Sequence, residues 1–260
     1  MAVYYESTDE EEVNKVLVML YEMVSNAEMG TLMWHEHEKY EAKTEEEFQK
    51  LVETYPQYES LFREEKEKWE RYHEAVRAVT KLEDHGSSGY VYIIGVLYQS
   101  INLWKASFQN LLLYGQGQEV SFSDTVFTSC MIDDAYTAYI NQEDEDWYNP
   151  YSDDEKDGLI EHHEAIVYER TMWNEWMAYR KTIAKSLPKD LRKIYNGCTN
   201  LLMRTKLLQL KNQNVVCGVF GSGVWEHVLP DSCSDKELLE YPGFNVVWDE
   251  YLDSLRSGSN

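Results

Sequence analysis

Asp153, Glu155, Asp157, Gly158 and Glu164 stand at the spacing of a calcium-binding loop, D-x-[DN]-x-[DN]-G-x5-E. One place departs: Glu155 takes the third ligand position, where a shorter Asp or Asn is usual. Ile160 fills the apolar position of such a loop. The chemistry would be coordination of a hard cation by converging carboxylate oxygens. Against it stands the local sequence. Asn149, Pro150 and Tyr151 supply no entering helix. Ser152 with Glu155 makes a capping box, which starts a helix through the same carboxylates and splays them apart.

Histidines offer a second chemistry. His35 and His37 alternate with Glu36 and Glu38, and His162, His163 and Glu164 are adjacent. Positions two apart point in different directions on a helix, so His35 and His37 are poor shared ligands. Glu70 and His73 form a Glu-x-x-His pair on one helical face. Di-metal carboxylate bundles need two such pairs and two more glutamates, and the chain supplies one pair. Asp133 and Asp134 are a carboxylate pair without neighbours that would define acid and base roles. The chain has no Gly-x-Ser-x-Gly elbow and no His-Glu-x-x-His motif. The glycines of 218–223 follow no strand-to-helix pattern that would make them a phosphate cradle. A non-enzymatic protein without a cofactor is therefore expected, with a helical metal-binding protein (calcium or di-metal) as one alternative.

Composition narrows the partners. The 260 residues carry a formal net charge of −23, with 43% hydrophobic and 27% charged residues. That is enough apolar material for a core. So acidic a surface repels phosphate backbones, which argues against nucleic acid, and it draws cationic proteins. No apolar run is long enough to span a bilayer. Cys130, Cys198, Cys217 and Cys233 include no Cys-x-x-Cys pair. Cys217 and Cys233 flank a glycine-rich loop and would pair if the chain is exported.

The elements that position these groups read as helices. Trp173, Trp176, Arg180, Ile183 and Leu187 recur at steps of three and four, one stripe of a helix. Pro188 suits the opening of a second helix, whose stripe runs through Leu191, Ile194, Tyr195, Cys198, Leu201, Leu202, Thr205 and Leu208. The short link predicts an antiparallel pair. Upstream, Trp69, Tyr72, Val76 and Val79 match the offsets of Trp176, Tyr179, Ile183 and Ser186. Two related hairpin units are the expectation, as a pseudo-repeat.

Trp176, Tyr179 and Arg180 make a helical Trp-x-x-Tyr-Arg segment. It resembles the hallmark of the LprI-type lysozyme-inhibitor family, small helical proteins of the bacterial envelope. The resemblance covers 40 to 50 residues in each half. It implies binding to a basic, lysozyme-like enzyme and a periplasmic or secreted location. The family's cysteine after Tyr-Arg is missing, since Lys181 to Ala184 contain none.

In chain order, a helix is expected over 9–43, broken near Gly30. A short helix follows from a Thr44/Glu47 capping box to Tyr55, then a long one from Gln57 to Leu82. The apolar 90–114 predicts a buried central helix, ended by Gly115 and Gly117. Ser123 or Asp124 would cap the next, running to Ile140. Ser234 with Glu237 opens a small helix, and 244–255 forms the last. The organisation expected is all-α: a helical bundle with an N-terminal half (1–142), an acidic linker (143–152) and a C-terminal half (153–260) that ends loop-rich, or one continuous domain. Glu143, Asp144, Glu145 and Asp146 are the expected docking residues for the basic partner, on charge alone. The competing expectation is a cytoplasmic interaction or immunity-type protein. The start of the chain shows no basic and apolar leader, which fits that location unless a leader has been removed.

Overall fold

The computed structural model describes residues 26–82, 89–145, 153–216 and 233–240. All the regular structure there is helical. The fold is an all-α bundle of α1 (Asn26–Thr54), α2 (Glu59–Leu82), α3 (Gly89–Gly115), α4 (Ser129–Glu145), α5 (Asp153–Ser186), α6 (Lys189–Val216) and α7 (Asp235–Glu240). A 3-10 turn, Pro56–Tyr58, joins α1 to α2.

Contacts divide the chain into two compact units. One comprises 1–122 and 157–202, the other 123–156 and 203–260. The segments interleave along the chain, and both boundaries that lie in described helices cut through α5 and α6.

In the first unit α3 is the central rod, and α1 and α2 both pack on it. Ile94, Leu97, Ile101, Leu103, Trp104, Phe108 and Leu111 are all buried, so α3 is covered on more than one face. Gly115 and Gly117 end it, and Gly117 takes a φ of +80° that glycine adopts without strain. α2 buries Phe62, Glu65, Trp69, Tyr72, Val76 and Val79 at alternating steps of three and four.

The α5–α6 hairpin turns at Pro188 as its sequence predicts. Pro188 O accepts from Arg192 N at 2.8 Å, closing the first turn of α6. The Arg192 side chain donates back to Lys185 O and Leu187 O, capping the end of α5. All five predicted stripe residues, Trp173, Trp176, Arg180, Ile183 and Leu187, are buried.

Three boundaries differ from expectation. Gly30 and Thr44 lie inside a continuous α1. Thr44 opens no helix: it is buried, and its Oγ1 donates to Tyr40 O four residues back at 2.9 Å. α4 begins at Ser129 rather than after Ser123 or Asp124. Ser123 Oγ instead accepts from Thr125 N at 3.1 Å in a local turn. The glycine-rich 218–223 and the 244–255 helix lie outside the described residues.

The proposed duplication is not established. Tyr72 is buried where Tyr179 is half-exposed, and Val79 is buried where Ser186 is exposed. Trp69 donates to Ser100 O, whereas Trp176 donates to a carboxylate.

Candidate functional site

The densest polar chemistry in the first unit is inside it. Arg180 comes to the core because it occupies the apolar stripe of α5, and it is 1% exposed. Its NH1 donates to Glu65 Oε1 on α2. Nε donates to Thr199 Oγ1 at 3.0 Å on α6, and NH2 to Ser107 O at 3.1 Å on α3. The guanidinium also lies 4.2 Å from the centre of the Tyr195 ring. One side chain thus ties four helices together.

Glu65 is equally saturated. Tyr195 OH donates to Oε2 at 2.6 Å, and Trp176 Nε1 approaches Oε1 at 3.4 Å. A buried carboxylate requires such partners, because an isolated charge there would be prohibitive. Burial is the largest influence on Arg180 and opposes its charge, but Glu65, Tyr195 and Cys198 together outweigh it and the pKa is raised. Burial pushes the Tyr195 phenol well above its ordinary value; Arg180 works against this and the Glu65 hydrogen bond adds to it. Burial lifts the Cys198 thiol to about 11, opposed by Arg180, so it stays protonated and unreactive at neutral pH. A cavity of about 10 Å³ beside Glu65, Ser107 and Tyr195 has room for at most one water. The arrangement can clamp helices together, and its groups are spent on one another.

Of the motif residues, Trp176 and Arg180 lie in this network and Tyr179 sits at its rim. The Tyr179 hydroxyl donates to Glu64. Burial, then that hydrogen bond, raises its pKa well above the ordinary value. Nearby, Lys68 pairs with Glu175 at 3.7 Å.

The expected docking residues Glu143, Asp144 and Glu145 are the last three of α4, and Asp146 lies outside the described residues. Asp153, Glu155, Asp157 and Glu164 all fall in α5. A helix rises about 1.5 Å per residue, so Asp153 and Glu164 are roughly 16 Å apart along its axis. Among the described residues no three metal-ligating side chains converge. His35 is exposed and pairs with Glu38 at 3.5 Å, whereas His37 is buried, so the two point apart as their spacing predicts. Glu70 turns to Lys66 at 3.4 Å, and His73 Nδ1 instead hydrogen-bonds Ser100 Oγ at 2.8 Å. Among the described residues no helix is long and apolar enough to cross a membrane.

Sequence reading missed Glu65 and Ser107. The signal for Glu65 was present: it falls on the stripe of Phe62, Trp69, Tyr72 and Val76, a polar residue in a core position. Comparison with family models, with curated proteins and with solved structures finds no match to the chain.

Proposed function

We propose that the protein is a non-catalytic, acidic binding protein whose partner is a cationic protein, with a lysozyme-like enzyme as the leading candidate. The observation that carries this reading is the net charge of −23. Such a charge accelerates encounter with a positive surface and makes the association sensitive to salt. The internal use of Arg180, Glu65 and Tyr195 is in keeping with it, since these groups hold the scaffold. The end of α4 and the residues after it, Glu143 to Asp146, form the proposed docking segment. The envelope location follows from the Trp176, Tyr179 and Arg180 resemblance and is part of the same proposal.

The test is inhibition of a cationic lysozyme across ionic strength. The expected result is stoichiometric inhibition at low salt that weakens as salt rises. A lysozyme that keeps full activity at low salt and excess protein contradicts the reading.

A second reading is a cytoplasmic interaction or immunity-type protein that neutralises a basic partner. The free thiols of Cys130 and Cys198 favour it, because reduced cysteines suit a reducing compartment. Cys217, the expected partner of Cys233, lies outside the described residues. Thiol counting on protein isolated from its native compartment separates the readings: four free thiols favour the cytoplasm, and a disulfide favours export.

A further inference from the structure

His37 on α1 is 4% exposed, and both its ring nitrogens are buried without a hydrogen-bond partner. Trp34 covers one face of the ring, stacked at 5.4 Å with an interplanar angle of 22°. Across the helix seam lies His73 on α2. Its Nδ1 hydrogen-bonds Ser100 Oγ on α3, and its ring packs 5.3 Å from Trp69. Trp69 also donates to Ser100 O at 3.1 Å, so Ser100 is held twice from α2.

We propose that His37 and His73 form an acid-operated latch, in which proton uptake by the pair loosens α1 from α2 and α3. The physical basis is a lack of compensation. A buried imidazole with unmet nitrogens is tolerable when neutral and very unfavourable when charged. Glu38 and Arg77 are the charged groups that act on His37, and His37 and Arg77 act on His73. Glu38 is exposed and already accepts from Trp34 Nε1 at 2.9 Å. Arg77 reaches toward Glu74 at 3.9 Å, and Glu41 and Glu70 face Lys66. From α3 the contact is the neutral Ser100. An imidazolium formed in place would meet a guanidinium and a second imidazole, with one solvated carboxylate to offset them. Hydrating the ring requires α1 to move away.

Burial depresses the His37 pKa, with Glu38 partly opposing and Arg77 adding to the effect. Burial, then His37 and Arg77, bring His73 down to about 4. A base whose folded pKa is depressed contributes stability that is complete above its ordinary value and lost as pH falls toward the folded one. With an ordinary value of 6.5 and a folded value of about 4, His73 alone raises the opening constant about 80-fold between those two values.

The experiment is amide hydrogen exchange on the full chain at pH 7, 6 and 5, corrected for intrinsic rates. The α5 segment 166–183, in the same unit, serves as reference. Protection of α1 residues 34–54 is expected to fall at least tenfold more than that reference between pH 6 and 5. In a His37→Phe/His73→Gln double variant, which fills the same space and cannot charge, the differential loss is expected to vanish. An unchanged loss in the double variant, or none in the parent protein down to pH 4.5, overturns the latch. Should the double variant not fold, imidazole proton resonances of the parent protein decide. Two histidines titrating together with α1 opening, at an apparent midpoint below 6.5, support the latch. Titration of every histidine at or above 6.5 with α1 still protected overturns it.

Discussion

Arg180 of α5 and Glu65 of α2, 115 residues apart in sequence, share a hydrogen-bonded ion pair inside the core. A buried pair of this kind is sensitive to the loss of one partner and insensitive to the joint replacement of both. Glu65→Leu strands the guanidinium and should cost about 3–5 kcal/mol. The double replacement Glu65→Leu/Arg180→Met should recover part of that loss, the remainder coming from the Tyr195 hydroxyl and the Ser107 carbonyl left without partners. Urea unfolding of the two single variants and the double variant measures the coupling. Additive losses would mean that the two residues act separately.

Gly197 lies inside α6, and a β-carbon there would come 2.5 Å from the Phe122 ring. Glycine within a helix costs about 1 kcal/mol relative to alanine, so the ring contact explains its presence. Gly197→Ala in the parent background should therefore give no gain, since the ring must be displaced. In a Phe122→Ala background the same change should stabilise by about 1 kcal/mol. Thermal unfolding of the four-member cycle reads the sign change directly.

Trp69 and Trp104 stack at 4.3 Å between α2 and α3, with Phe48 of α1 tilted against Trp104 at 5.5 Å. Trp104→Ala should cost about 3–5 kcal/mol, through lost burial and the cavity left behind. By contrast, Lys39→Ala breaks an exposed pair with Glu36 and should change stability by less than about 0.5 kcal/mol. Chemical denaturation of both variants tests the contrast between buried rings and surface charge.

In the second unit Asp235, at the start of α7, accepts from Ser123 and from Arg204 Nε at 2.6 Å. Those two hydrogen bonds, Ser123 first, hold its pKa below the ordinary 3.8. An acid with a depressed folded pKa contributes stability above its ordinary range, and that contribution is lost as pH falls through the folded value. Asp235→Asn should therefore cost roughly 1 kcal/mol at pH 6. The difference between parent and variant should shrink to nothing as pH falls well below 3.8. Paired denaturation curves from pH 6 to pH 2 check both parts.

Helical class and the α5–α6 turn were legible because wide rings at Trp173 and Trp176 mark one stripe, and Pro188 punctuates it. Ser234 and Glu237 were legible for a similar reason. Their reciprocal capping box forms as expected, with Ser234 N donating to Glu237 Oε2 and Glu237 N donating to Ser234 Oγ. Thr44 and Glu47 show the same letters with a different outcome. Tyr40 stacks on Tyr98 at 4.3 Å and Lys105 reaches Glu47 at 3.4 Å, so tertiary contacts with α3 carry α1 straight through. A local capping signal cannot report such contacts. Glu65 falls on the apolar stripe of α2, but that signal is masked by its charged neighbours Arg63, Glu64, Lys66 and Glu67. Its core role requires knowing that Arg180 and Tyr195 arrive from other helices. Equal spacing around Trp69 and Trp176 likewise hid unequal surroundings, since Tyr72 meets Trp173 inside the core and Tyr179 meets Glu64 at the rim.

The central claim, that an acidic scaffold captures a cationic protein through a defined segment, is tested most directly by calorimetric titration with a cationic lysozyme. The parent protein should be compared with a Glu143→Gln/Asp144→Asn/Glu145→Gln/Asp146→Asn variant, and with an unrelated basic protein of equal charge as control. The account predicts a one-to-one complex with the lysozyme at low salt that weakens as salt rises, weakens at least tenfold in the variant, and is tighter than any binding of the control. Equal binding by the variant, or equal binding of the control protein, would contradict it.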